Sequence, residues 1–524
     1  MKFNILSKNK TVNHEGSTAF TLSPEMELYT AVVTWSLNDS FYEKDEQRLN
    51  RLQVLIANCK PLFVAKLAVY ARTKMYIRSV PLVLITELAK LHNGDNLIAL
   101  ATDAVILRAD EITELLACYQ LLNERTASKK LNRLSKQIQK GLALAFNKFD
   151  EYQFAKYNRD GDIKLRDALF LVHPKAKDDR QKLIFNKIAS GSLETPYTWE
   201  TTLSALGKVD FETDELKILA FRQKWEELID SGKLGYMAML RNLCNMQEAG
   251  ISYFHLEKVC ARLADPEEVA KAKQFPFRYL AAYRELLSPR NKKYGRATRK
   301  NRGPVLHCQN YGFTGELLDA LENAVRATAA SIKGFDYDTR VLLACDVSGS
   351  MQTPVSAKSQ ILLYDIGLML AMLLQTRCKN VEVGMFGRTW KTITVPRKNI
   401  LDNVQTFYRR EGEVGYSTNG YKVIKDLLTR KVKMDKIFMF TDTQLWNSNY
   451  PSERIQTLWQ RYKEKVSPNA RLYLFDLQGY GVSPLQILSN GVYLIAGLSD
   501  KVFEALDAIE NGGVALDMIN NIEL

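Results

Sequence analysis

The pattern of apolar residues changes abruptly near residue 336, and that break governs what the chain can fold into. Before it, apolar side chains recur at helical spacing: Leu52, Leu55 and Ile56; Leu62, Ala65, Leu67 and Ala68; Leu115, Leu116, Leu121 and Leu122; then Leu131, Leu134, Ile138, Leu142 and Leu144. Polar turn sequences punctuate them at Asn58-Cys-Lys-Pro61, Ser79-Val-Pro81, His92-Asn-Gly-Asp95 and Asn158-Arg-Asp-Gly-Asp162. Helical segments joined by short turns predict a solenoid of irregular, HEAT-like helix pairs over residues 1–335. After the break, short apolar runs alternate with helical ones. Arg340–Asp346, Val381–Phe386, Lys436–Asp442, Arg471–Phe475 and Val492–Ala496 read as buried strands, with helices at 361–375, about 419–430 and between the last two strands. That alternation predicts a doubly wound, mostly parallel α/β domain over residues 336–524. A chain of 524 residues is too long for one core, which agrees with two units.

In doubly wound sheets ligands sit beyond the carboxyl ends of the strands. Asp346 and Asp442 both stand there. Asp346-x-Ser348-x-Ser350 alternates oxygen-bearing side chains along a loop, and Gly349 permits a tight path. With Thr418 and Asp442 the set offers three hydroxyls and two carboxylates. A hard divalent cation such as Mg²⁺ wants oxygen ligands of that kind and keeps several waters. So few formal charges leave the ion electrophilic toward an outside carboxylate or phosphate. The sequence resembles the metal-ion-dependent adhesion site (MIDAS) of von Willebrand factor A-like domains.

Enzyme chemistry finds no residues to carry it. A haloacid-dehalogenase-type phosphatase needs a second Asp two positions after the first, where Ser348 stands. No phosphate-binding G-x-x-x-x-G-K-[ST] loop, no G-x-S-x-G elbow and no clustered His or Cys metal spacing occurs, and the five histidines are far apart. No apolar run reaches the ~18 residues that cross a bilayer. The first residues lack the apolar core of a secretion leader, and seven scattered cysteines without a C-x-x-C pair suit reduced thiols. The expected compartment is the cytoplasm.

Charge is unevenly spread. Residues 1–335 hold 50 Lys and Arg against 39 Asp and Glu, whereas residues 336–524 hold 22 against 20. A surplus confined to one unit suggests that this unit meets a polyanion, with plain solubility as the other reading. The densest run is 289–302, where Arg290, Lys292, Lys293, Arg296, Arg299, Lys300 and Arg302 stand around Tyr294 with no acid. Such a loop repels itself unless a polyanion is present; a linker ahead of the second domain is the alternative. Lys156, Arg159, Lys164, Arg166, His173 and Lys175, flanked by Tyr152, Phe154 and Tyr157, form a second basic stretch. Cations there can neutralise phosphates and aromatic faces can stack bases, although the interleaved Asp160, Asp162 and Asp167 also fit a solvated helix end.

Several stretches together resemble the TROVE-module family, whose best-known member is the Ro autoantigen. They are Lys156-Tyr-Asn-Arg159 through Arg166-Asp-Ala-Leu to His173-Pro-Lys175; Met239-Leu-Arg-Asn-Leu-Cys-Asn-Met246; Phe275-Pro-Phe-Arg-Tyr279; and Tyr70-Ala-Arg72 with Arg78-Ser-Val-Pro81, followed by Asp346-Val-Ser-Gly-Ser-Met351. The order and spacing carry the resemblance over most of the chain. It departs at Tyr416-Ser417, where the family commonly has Gly-Gly before the metal-site threonine, and at Asn419, a commonly acidic position. The resemblance implies a closed helical ring with a positively charged hole, its ends clasped by the A-like domain. It implies small structured Y RNAs on the outer basic surface, single-stranded 3′ ends of misfolded RNAs in the hole, a role in RNA quality control, and an exoribonuclease as partner of bacterial members. On that reading Arg241 and Asn242 are either core hydrogen-bonding groups or hole-lining RNA contacts. The protein is expected to be a monomer. A protein-protein adhesion scaffold, its metal gripping a partner's carboxylate, is the rival reading.

Overall fold

The structure is a computed structural model and describes residues 10–35, 43–124, 133–158, 161–287, 313–330, 332–356 and 359–524. Among the described residues up to Thr328 it is helical apart from one hairpin. Helix starts carry their own signals. Ser23 caps Pro24–Val33 by accepting the Met26 N–H at 3.2 Å, and Pro61 opens Pro61–Thr73, where a missing N–H costs nothing. Asp150 and Gln153 cap Glu151–Tyr157 reciprocally, at 2.7 and 3.0 Å.

Successive helices pack on near neighbours to carry one core along the array. Pro61–Thr73 lies against Ser79–Leu91 and Leu97–Val105, Leu97–Val105 against Lys136–Ala145, and Lys136–Ala145 against Leu165–Val172 and thence Asp179–Ser190. The same stacking resumes from Trp199–Leu206 through Asp214–Asp230 and Tyr253–Ala264 to Thr314–Thr328. Gly141 shows how close one pair comes, since a Cβ there would lie 2.6 Å from the Ala99 carbonyl oxygen.

The second unit holds a six-stranded sheet. In chain order the nine strands among the described residues are β1 (Lys10–Val12), β2 (Thr18–Thr21), β3 (Arg340–Asp346), β4 (Asn380–Phe386), β5 (Trp390–Thr392), β6 (Lys436–Thr441), β7 (Arg471–Asp476), β8 (Val482–Ser483) and β9 (Val492–Ala496). The sheet runs β5-β4-β3-β6-β7-β9, parallel except for β5. β3 lies between β4 and β6, so the strand order reverses there and a crevice opens at its carboxyl end. The helix expected between β7 and β9 does not form. The segment holds the short β8 instead, because Gly479 and Gly481 take φ of +66° and +79° and Pro484 follows.

The hairpin of β1 and β2 is unforeseen by helical periodicity, and it leaves the helical unit altogether. β2 pairs antiparallel with β8, Phe20 opposite Ser483 and Thr21 opposite Val482. From there both ends of the array reach the A-like domain. Pro24–Val33 packs on β9 and Pro61–Thr73 on Asp517–Asn520, while Pro276–Leu287 packs on Leu363–Arg377 and Thr314–Thr328 on Ile400–Arg410. The array also meets itself: Lys273 Nζ stands 5.0 Å over the Tyr76 ring, with Lys501 Nζ on the same ring at 5.8 Å. The helices therefore form a ring whose two ends are bridged by the A-like domain.

Candidate metal centre and nucleic-acid surface

β3 and β6 run parallel in register, Cys345 opposite Phe440, so Asp346 and Asp442 emerge together at the sheet's carboxyl edge. Asp346 Oδ1 accepts the Ser348 N–H at 3.0 Å and Oδ2 accepts the Thr441 hydroxyl at 2.7 Å, which fixes the carboxylate's orientation. The Ser348 and Ser350 hydroxyl oxygens lie 3.4 Å apart. Gly349 N–H donates to the Tyr416 carbonyl at 2.9 Å, drawing the loop of Thr418 beside the first loop. Thr418 Oγ1 in turn accepts the Trp446 N–H at 2.8 Å, hooking that loop to the one after Asp442. Asn419 Nδ2 donates to the Arg388 carbonyl at 3.0 Å. Tyr416-Ser417 is thus accommodated through backbone contacts, and the loops that carry the five residues are tied side by side.

All five are buried. Burial first, and then the charge of Asp442, pushes the Asp346 carboxyl well above the ordinary carboxylate range; burial does the same to Asp442. Asp442 Oδ1 accepts the Gln444 N–H at 3.0 Å, yet its buried Oδ2 has no hydrogen-bond partner. An orphaned buried carboxylate oxygen is costly unless a cation completes it. Three hydroxyls, two carboxylates and that orphan oxygen fit a hard divalent ion.

Sequence reasoning missed four neighbours of the centre. Asp476 ends β7 in register with Thr441; its Oδ1 accepts from Gln478 and Gly479 at 3.0 and 2.8 Å, Oδ2 is unpartnered, and burial pushes the carboxyl up to about 6. Its place at the end of a buried strand, like those of Asp346 and Asp442, was the available signal. Arg48, almost wholly buried, donates to the Gln478 carbonyl at 3.2 Å and the Thr34 carbonyl at 2.9 Å. Arg51 donates to the Gly479 carbonyl at 2.8 Å while pairing with Glu43 and Glu27 at 2.9 and 3.3 Å. The last neighbour is the hairpin tip, residues 13–17, bonded to the loop after Asp442.

On the helical ring, Lys156, Lys164, Arg166, His173 and Lys175 are all exposed on or beside Glu151–Tyr157 and Leu165–Val172. Lys156 Nζ lies 5.7 Å from the rings of Tyr152 and Tyr157, and the Arg166 guanidinium 5.7 Å from the half-exposed Phe170. Phe154, grouped with these aromatics by sequence, is instead buried against Phe146 and Phe149, where it faces no ligand. Arg241 is exposed, whereas Asn242 is buried and bonded within its helix pair, donating to the Ala238 carbonyl and accepting from Asn245, both at 2.7 Å. Arg159 and the run Arg290, Lys292, Lys293, Arg296, Arg299, Lys300 and Arg302 lie outside the described residues.

A helical ring bridged by an A-like domain, with an Asp-x-Ser-x-Ser centre at the bridge, defines a class of two-part protein. The TROVE domain profile matches residues 7–217 and 191–331, and the Ro60 vWA domain profile matches residues 340–509. The chain therefore belongs to the TROVE-domain family, a family of RNA-binding ribonucleoproteins. The crystal structure of the Deinococcus radiodurans Ro (RSR) protein superposes with a TM-score of 0.57 at 16% identity, covering 94% of this chain and all of that one. Telomerase protein component 1 of Rattus norvegicus is 46% identical over 94 residues, 18% of this chain. The Mus musculus protein of the same name is 26% identical over 311 residues, 46% of this chain. The matches span only 3% and 12% of those two relatives' own lengths.

Proposed function

We propose that the protein is a non-catalytic RNA-binding protein of RNA quality control or processing. It holds a small structured, Y-like RNA on the basic outer surface of the ring and single-stranded or misfolded 3′ ends in the central hole, with an exoribonuclease as a partner. The observation that carries this reading is the row of exposed cations at 156–175 interleaved with the exposed Tyr152 and Phe170. Among the described residues Lys156, Arg166 and Lys175 make no ion pair, so their charge is available to phosphate, and the two rings offer faces for unpaired bases. Asn242 has no part in it, since its amide serves the fold. The run from Arg290 to Arg302, outside the described residues, supplies further cations in sequence.

Binding of this kind is electrostatic and steep in salt. Log affinity for a structured RNA falls by roughly one unit per log unit of salt for each phosphate neutralised. A salt series from 50 to 300 mM with a hairpin RNA measures that slope, and a flat response rejects the reading. Exchanging Arg296, Arg299, Lys300 and Arg302 for Gln weakens the affinity without unfolding the protein; unchanged affinity removes that run from the RNA contacts.

The orphaned Asp442 Oδ2 favours a second role, a MIDAS that holds Mg²⁺ through Asp346, Ser348, Ser350, Thr418 and Asp442. The ion would supply an electrophilic centre for a carboxylate, and the A-like domain could thereby recruit a protein while the ring holds RNA. Asp346→Ala abolishes divalent-ion binding by titration if these residues form the centre.

A further inference from the structure

The metal centre lies beneath a piece of the chain's own N-terminus. The turn joining β1 and β2 is closed by bonds from Asn13 N–H to the Ser17 carbonyl at 2.9 Å, from Gly16 N–H to the Asn13 carbonyl at 3.0 Å, and from Ser17 N–H to Asn13 Oδ1 at 2.8 Å. Three bonds then fasten this turn to the loop after Asp442. Asn13 Nδ2 donates to the Leu445 carbonyl at 2.8 Å, His14 N–H to Gln444 Oε1 at 2.9 Å, and Asn447 N–H to Ser17 Oγ at 2.8 Å. Gln444 is the link, since its own N–H holds Asp442 Oδ1. Between His14 and Ser17 stands Glu15, half-buried at the apex of the turn.

We propose that Glu15 is the carboxylate this chain brings to its own metal ion, so that loading the ion fastens the N-terminal hairpin to the A-like domain. The proposal rests on the reading of the five residues as a metal centre and adds its internal occupant. Two features support it. The predicted centre has few formal charges and leaves the ion in need of one more anion, which an adhesion reading assigns to an outside partner. All five ligands are buried, and the segment bonded beside them carries a carboxylate at its tip.

The consequence is mechanical. The hairpin is joined to β8 by strand pairing and leads through Leu22 into Pro24–Val33, the first helix of the ring. An ion held by Glu15 therefore ties the start of the ring to the sheet edge that carries Asp346 and Asp442. An outside acidic ligand reaches the ion only after the tip has swung away.

Mn²⁺ titration of the full chain, followed calorimetrically, tests this with wild type, Glu15→Gln and Asp442→Ala. Glu15→Gln should weaken Mn²⁺ on the order of tenfold, the scale on which groups around a metal's ligands set its affinity, and Asp442→Ala should abolish binding. Amide exchange of residues 10–21 should slow on adding Mn²⁺ to wild type and not to Glu15→Gln. Equal Mn²⁺ affinities of wild type and Glu15→Gln, or hairpin exchange indifferent to Mn²⁺ in wild type, overturn the assignment while leaving the centre intact. Wild type that binds no Mn²⁺ at all overturns both. Melting in EDTA with the same midpoint for the two proteins shows that Glu15→Gln is folded.

Discussion

Arg284 in Pro276–Leu287 tests whether the A-like domain closes the ring or merely touches it. Its guanidinium donates to both oxygens of Asp365 at 2.6 Å and lies 5.0 Å over the Tyr408 ring. Asp365 is completely buried and its Oδ2 also accepts the Leu362 N–H at 2.9 Å, anchoring the start of Leu363–Arg377. An exposed pair of this kind would be worth at most about 1 kcal/mol. Here Arg284→Ala leaves a carboxylate in the interior with one backbone donor, a loss of about 3–5 kcal/mol. At ~2 cal/mol/K of unfolding entropy per residue, that lowers the melting temperature by about 3–5 °C if the whole chain melts together, and by about three times that if the A-like domain melts alone. Calorimetry reads which of these holds. The double variant Arg284→Met, Asp365→Asn should recover more than half of the loss, because the amide oxygen still accepts from Leu362 and no charge is stranded. Leu363 N–H donates to the Thr353 carbonyl at 3.0 Å, so this helix follows directly on the metal loop, and the single variant should also speed amide exchange over residues 346–356. A loss under about 1 kcal/mol for Arg284→Ala would refute the argument that the buried pair clamps the two units.

Three further outcomes follow from the same geometry. Lys156→Gln, Arg166→Gln and Lys175→Gln together should reduce the salt slope of RNA binding by about three units, read from filter binding at several salt concentrations, and a slope unchanged from wild type removes this surface. Gly387→Ala places a Cβ 1.8 Å from the Gly415 carbonyl oxygen, so the loop that carries Thr418 must shift; a stability loss of about 1–3 kcal/mol should come with weakened Mn²⁺ binding, and intact binding would detach that loop from the centre. Asp476, raised to about 6 by burial, holds its proton more tightly folded than unfolded, so its contribution is favourable at low pH and is lost as pH rises from about 4 through 6. Asp476→Asn keeps the oxygen that accepts from Gln478 and Gly479, and in metal-free protein it should flatten that decline by at most about 3 kcal/mol between pH 4 and 8 in urea titrations.

What the sequence made legible, and what it hid, divides along the range of the interactions. Strand β3 is visible because a parallel strand covered on both faces must be apolar throughout, and the array helices because one stripe of each must be. The Asp-x-Ser-x-Ser loop is visible because its chemistry is packed into five residues. The hairpin of residues 10–21 was not, since its partners are Val482, Ser483 and the loop at 444–447, more than 400 residues away, and its short strands carry no alternation long enough to mark them. Arg48 was hidden for the same reason: within Asp45–Asn58 it looks like a solvated cation, and only the Gln478 carbonyl across the ring closure makes it a buried one. For Asn242 the sequence left a core amide and an RNA contact both open, and only its burial and its bonds to the neighbouring turns of helix favour the core use. Long-range closure is thus where local patterning falls silent, and in this ring it is also where the metal centre, the buried arginines and the N-terminal hairpin meet. A chain that sets Asp346, Asp442 and Asp476 beside the seam formed by its N-terminal hairpin makes that joint the place where the proposed ion would act on both units.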